Sequence, residues 1–285
     1  MKIALALHGY YNNTRDLKSG DNGFKYIYET LLDKYNIDVF FHSWEPEIEL
    51  YLKELYKPIY YTSEKQINFQ DVMSENFIKQ EYFDQGFNRQ HSPYSSCKIS
   101  STLSFLYSRK KALDLVFLYE QKKKFTYDIV ITARFDLGQI EKNRILKYYV
   151  SKIYFNQNFD MNYVYSAMWD QLNAGYADQW FYSSSKNMKI LSKAYDKALL
   201  DFQPGSRYEY TVTEGWPDSV QYDGSFYDPN QFTNEKLKNW KSEAPLMKYP
   251  LWQCVNNHIY YKWFFIDNNL YNWSKFVLPQ EVLVK

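Results

Sequence analysis

The strongest apolar signal in the chain is the β-branched run Ile129-Val130-Ile131-Thr132, set inside YDIVITARFDL, residues 127–137. A continuous run of this length reads as a strand buried on both faces of a sheet. Ahead of it lies the longest helical pattern, residues 98–123. There Ile99, Leu103, Leu106, Leu113 and Val116 or Phe117 recur along one face. The chain opens on another apolar run, residues 2–8, that reads as strand one and ends at Gly9. Residues 24–35 place Phe24, Ile27, Tyr28, Leu31 and Leu32 at helical spacing. DVFFH, residues 38–42, predicts strand two. Pro46 suits the first turn of a helix carrying Ile48, Leu50, Tyr51 and Leu55, and residues 57–62 predict a short strand three. This β-α-β-α-β alternation is the signature of a parallel sheet with helices packed on it.

Beyond the first sixty residues the pattern is less regular. Residues 71–80 suggest a helix, and 82–97 a long polar loop. Residues 148–155 alternate enough for a strand, and 156–173 read as loop. A helix is expected over 186–200, capped by one of Ser183, Ser184 or Ser185. Residues 201–228 are turn-rich, a helix is expected from Asp228 to about Trp240, and strand-like pieces lie at 259–266 and 276–278. With 285 residues and no linker-like segment, a single domain is expected, its halves being 1–137 and 138–285.

Composition narrows the function classes. The formal net charge is +1, and no block of like charge marks a nucleic-acid surface. Cys97 and Cys254 form neither a disulfide framework nor a zinc pattern, so free thiols are expected. No apolar run approaches membrane-span length. A soluble, cytoplasmic protein is expected. Aromatics make up 20% of residues. They suit sugar or base stacking, but a codon bias is the better account of most of the 30 tyrosines.

Four polar groups fall at or near expected strand ends: Gly9 to Arg15 with Asn12 in it, His42-Ser43-Trp44, Arg134 with Asp136, and Asp178. In a parallel sheet such ends converge on one rim, where ligands bind. A salt-bridged strand end reads the Arg134–Asp136 pair as well, and His42 alone reads as a structural residue. The loop after strand one is neither GxGxxG nor a Walker A.

The segment order resembles that of GT-A type glycosyltransferases from bacterial and large-DNA-virus surface-glycan clusters. Capsid-glycan enzymes of this size, including a xylosyltransferase, are of that kind. The resemblance is carried by DVFFHSW (38–44), YDIVITARFD (127–136) and DQWFYSSSKNM (178–188), and covers roughly residues 1–200. It implies a GT-A-like, Rossmann-type, mostly parallel sheet with a mixed C-terminal part. It also implies a nucleotide-diphosphate sugar as donor, a UDP-sugar foremost, and a glycan or glycoprotein hydroxyl as acceptor. Asp136 would stand where many such enzymes place a DxD carboxylate and would hold Mn²⁺ or Mg²⁺. Arg134 would bind a phosphate or orient Asp136. Asp178, then Asp170, would be the base that deprotonates the acceptor. Gly9, Asn12, Arg15, His42 and Ser43 would contact the nucleotide. Trp216, Trp240 and Trp252 are possible sugar platforms or core. A non-catalytic carbohydrate-binding protein is the alternative. A hydrolase is disfavoured by the lack of GxSxG and HExxH.

Overall fold

The computed structural model describes residues 1–12, 19–69, 99–138, 153–167, 176, 178–214, 257–270 and 274–277. The expectations at Arg15, Cys97, Asp170, Trp216, Trp240, Trp252, Cys254 and the helices 71–80 and 228–240 lie outside these residues.

Seven strands form one sheet: β1 (Ile3–Gly9), β2 (Ile37–Ser43), β3 (Tyr60–Ser63), β4 (Ile129–Arg134), β5 (Val164–Ala167), β6 (Trp180–Ser183) and β7 (Ser274–Val277). Their spatial order is β3-β2-β1-β4-β6-β5-β7. β6 alone runs against its neighbours, pairing antiparallel with β4 and β5, while the other pairings are parallel. The fold is therefore α/β with a mostly parallel mixed sheet, compatible with a Rossmann-like arrangement. The chain builds outward through β2 and β3 on one side of β1, then returns to place β4 on the other. That reversal makes the β1/β4 boundary a topological switch point.

Both faces of the sheet are covered, as the β-branched run of β4 predicts. Ala4, Ala6, Phe40, Val130 and Phe181 point to one face. There they meet α3 (Ile99–Lys123), α4 (Ser185–Leu191), α5 (Ala194–Asp201) and α7 (Asn257–Asp267). Ile3, Leu5, Leu7, Val39, Phe41, Ile131 and Trp180 point to the other, under α1 (Ser19–Ile27) and α2 (Glu49–Tyr56). The alternation is the period of two that a strand imposes. α6 (Arg207–Glu214) completes the helices among the described residues.

Several expectations are corrected. α1 starts at Ser19 and closes with a wider turn at Tyr28–Leu32, where Asp33 N–H donates to the Tyr28 carbonyl over 2.9 Å. In α2 the buried positions are Leu52 and Tyr56, whereas Leu50 is 72% exposed. A short 3-10 turn at Pro46–Ile48 rotates the helix face away from the expected stripe. The helix over 186–200 is two helices. Ser192 hydroxyl donates to the Lys189 carbonyl over 3.0 Å at the break, a side-chain bond that competes with the helical ladder. Ser184 occupies the cap position of α4, but its side chain makes no capping bond. The turn-rich stretch after 201 contains α6, headed by an N-cap: Ser206 Oγ accepts the Glu209 N–H at 3.1 Å.

Residues 259–266 are helical, not strand-like. Ile259 to Phe265 of α7 are buried on every side, Lys262 included, and a run of large apolar side chains broken by a single lysine carries no period to separate the two states. Among residues 148–155, the described ones (153–155) are not in a strand; the next strand is β5, inside the expected loop.

α1 is held close to the end of β4. A Cβ built on Gly23 would stand 1.9 Å from the Phe135 carbonyl oxygen. A Gly→Ala change inside a helix ordinarily stabilises by about 1 kcal/mol. Here Gly23→Ala is expected to destabilise by about 1–3 kcal/mol instead, because backbone must move. A urea-unfolding midpoint equal to or above that of the wild type would contradict this close approach.

Candidate functional site

The carboxyl ends of β1, β2 and β4 meet at one rim. Register puts His8 level with His42 on one side and Arg134 on the other, and Gly9 level with Ser43. A cleft of about 360 Å³ opens there, lined by His8, Gly9, Tyr10, Asn12, Trp44, Gln66, Ser101, Ser104, Phe105, Arg134 and Asp136. This volume lies within the usual range of small-molecule sites. Gly9 turns the chain off β1 with φ +101°, a conformation that requires glycine.

The upper part of α3 supplies the polar side of this rim. Ser108 Oγ accepts the Gly9 N–H at 2.8 Å and lies 2.7 Å from His42 Nδ1. His42 Nε2 lies 3.0 Å from Glu64 Oε1. A carboxylate only accepts, so Nε2 carries the proton and the Ser108 hydroxyl donates to Nδ1. Burial lowers the His42 pKa, against the opposing pull of Glu64, and keeps the ring neutral. Both ring nitrogens are thus engaged within the fold, and His42 does not line the cleft. Ser43 Oγ, buried at the end of β2, accepts the Glu45 N–H at 3.1 Å.

Arg109 comes from the same helix and is 1% exposed. Its guanidinium sits over the rings of Phe105, Phe181 and Tyr261 at 4.5, 4.9 and 5.1 Å. Its Nε donates to His8 Nε2 over 3.1 Å, and Nη2 donates to the Asp178 carbonyl. None of these partners is a carboxylate. An arginine cannot accept a hydrogen bond, so His8 Nε2 carries the lone pair and Nδ1 carries the proton. His8 Nδ1 and Arg109 Nη1 are buried without a hydrogen-bond partner among the described residues. A buried donor left unpaired costs about 1–3 kcal/mol.

At the end of β4, Arg134 and Asp136 form a bidentate pair. Nε donates to Oδ1 over 2.7 Å and Nη2 to Oδ2. Asp136 is therefore oriented, and both its oxygens already accept. A carboxylate has about four lone-pair sites, so a one-point contact to a cation fits. Among the described residues no group of three or more His, Cys, Asp or Glu could hold a metal.

The loop after β1 is pinned by Glu45. Its carboxylate accepts the backbone N–H of Tyr11, and that of Asn12 at 3.1 Å. Burial raises the Glu45 pKa against the opposing effect of these bonds. On the cleft wall Tyr10 donates to Gln66 Oε1 over 2.6 Å, and Gln66 Nε2 donates to Ser104 over 2.8 Å. Trp44 serves core and cleft together: it stacks on Tyr107 with centroids 5.4 Å apart and also lines the opening.

No protein-family model and no curated protein sequence matches the chain. The chemistry of this rim therefore carries the functional reading. The cleft brings together Gly9, Asn12, Arg134 and Asp136 from the sequence-derived candidates. Asp178 precedes β6 rather than following a strand. It reaches the rim because β6 is reversed, and the Arg134 N–H donates to neighbouring Gln179 over 3.1 Å. Asp178 is 3% exposed and outside the cleft lining; Asn257 Nδ2 donates to Oδ2, and His258 Nδ1 lies 3.7 Å from Oδ1. Sequence reasoning missed His8, Arg109, Gln66, Ser104 and Glu45. A signal existed for Arg109, which falls on the apolar stripe between Leu106 and Leu113.

His8 predicts an acid-sensitive fold. Burial first, then the positive charges of Arg109 and Arg134 and the nearby His42, hold its pKa well below 6.5. The unfolded ring protonates near 6.5, so below that pH the unfolded state binds more protons. The stability owed to neutral His8 is complete above pH 6.5 and is lost as pH falls toward the folded value. The expected slope is roughly 1.4 kcal/mol per pH unit. Urea unfolding at pH 7.5, 6.5 and 5.5 measures it. In His8→Asn the slope should drop by one proton's worth, and an unchanged slope would count against a neutral buried His8.

Proposed function

We propose that the protein is a glycosyltransferase using a nucleotide-diphosphate sugar, a UDP-sugar foremost, to glycosylate a glycan hydroxyl. The observation that carries the reading is the clustering of Arg134, Asp136 and His8 in a cleft at the β1/β4 switch point. Ligands of open α/β sheets bind outside the carboxyl ends of strands at such points. Transfer from the donor passes through an oxocarbenium-like state while a nucleoside diphosphate departs. The charge developing on that leaving group needs a cationic partner in a site shielded from water. Arg134 supplies one at the mouth. Asp136 orients Arg134 and presents a carboxylate to which Mn²⁺ or Mg²⁺, shared with phosphate oxygens, would bind. Such a cation would stabilise the leaving diphosphate. The rings of Trp44, Phe105 and Tyr10 in the lining also suit a sugar held without chemistry, so a carbohydrate-binding protein is the competing reading.

A thermal-shift panel of UDP, GDP, CMP and dTDP, each with and without Mn²⁺, separates the two. A nucleotide at one hundred times its Kd should stabilise the fold by about 2.7 kcal/mol. Arg134→Ala should lose most of that shift while keeping its fold. Loss in Asp136→Ala only when Mn²⁺ is present would assign the cation to Asp136. Silence across the panel, with stabilisation by free sugars, would replace the transferase reading by the carbohydrate-binding one.

A further inference from the structure

We infer that His8 is a ligand-binding residue of this cleft, donating its Nδ1–H to a phosphate oxygen of the bound nucleotide, with Arg109 as the positioning residue that fixes its tautomer. The inference rests on the nucleotide reading above.

Its first support is hydrogen-bond arithmetic. Arg109 Nε reaches His8 Nε2 at 3.1 Å, and a guanidinium can only donate. The imidazole is therefore committed to the Nδ1–H form whenever it is neutral. Burial and the neighbouring positive charges of Arg109 and Arg134 favour the neutral form. What remains on the ring is one donor and no acceptor.

The second support is that this donor has nothing to bond to. Nδ1 is buried and unpartnered among the described residues. His8 is 1% exposed yet contributes to the lining of the cleft. Buried polar groups in folded proteins are almost always satisfied, and an orphan calls for a reason. A ligand oxygen entering the cleft provides one.

The third support is the sign of the surroundings. His8 stands level with Arg134 in register and in contact with Arg109, itself buried with one unpartnered nitrogen and no carboxylate among its described partners. Arg109 and Arg134 put positive potential on the ring, Arg134 partly offset by its pair with Asp136, and a donor in positive potential favours an anionic oxygen over a neutral one. The ring is also fixed from the side: Phe105 meets it edge-on at 5.1 Å. The tautomer is set before a ligand arrives.

The test uses the full chain labelled with ¹⁵N-histidine. Long-range ¹H–¹⁵N spectra should show His8, identified by its loss in His8→Asn, in the Nδ1–H tautomer. Addition of the stabilising nucleotide from UDP, GDP, CMP and dTDP should shift His8 Nδ1, whereas the matching nucleoside should not. His8→Phe, which keeps a ring against Phe105, should weaken that nucleotide about 10- to 100-fold. His8→Asn, which restores a donor near the Nδ1 position, should recover part of the loss. Arg109→Met should mix the two tautomers of His8.

An Nε2–H tautomer in the wild type would overturn the inference outright. So would a nucleotide that raises the melting temperature yet leaves Nδ1 unmoved, an outcome that keeps the transferase reading. A nucleoside that shifts Nδ1 as much as its nucleotide would overturn the assignment to phosphate. If no nucleotide of the panel stabilises the protein or shifts any histidine, the nucleotide reading itself fails and takes this inference with it.

Discussion

The rim of this protein depends on how α3 docks against β1 and β2. Two neighbouring residues of the helix, Ser108 and Arg109, bond the strand ends directly. Ser108 ties the Gly9 N–H and His42, and Arg109 ties His8 and the carbonyl ahead of β6. These bonds satisfy polar groups that burial would otherwise leave exposed to a low dielectric. They also set which donors are left over. The cleft's chemistry is a remainder: what the helix does not consume on β1 and β4 is what a ligand can use.

That remainder is weighted toward positive charge. Arg109 is shielded by three aromatic rings rather than neutralised by a carboxylate. Arg134 is offset by Asp136, and the nearby Glu45 carboxylate is occupied by loop N–H groups. His8 and His42, the buried histidines among the described residues, hold opposite neutral tautomers, because one faces a donor, Arg109, and the other an acceptor, Glu64. Proton placement is thereby built into the packing. Such surroundings favour an anion over a neutral group, since the proton placement is set before a ligand arrives.

The reversed strand β6 solves a separate problem of reach. In a sheet of parallel strands, one rim collects only carboxyl ends. By running backwards, β6 brings the residues before it, Asp178 and Gln179, to the same rim as Arg134. Asp178 is there held by Asn257 and faces His258 from α7, so the C-terminal part of the chain contributes to the edge of the site.

Much of the frame was legible in the sequence by itself. The β-α-β-α-β start, the buried β4 and the long α3 are written in local periodicity, which responds to burial on one or two faces. Gly9, Arg134 and Asp136 were legible as residues of the rim because they end or directly follow such strands. The rest was decided by tertiary structure. The segment Ile259–Phe265, apolar or aromatic but for Lys262, has no period to read and is a helix enclosed on every side. The four-residue β5 exists only by pairing with β6 and β7. His8 and Arg109 meet through a contact across 101 residues. No local pattern encodes which nitrogen of a histidine keeps its proton; the neighbour that packing supplies does.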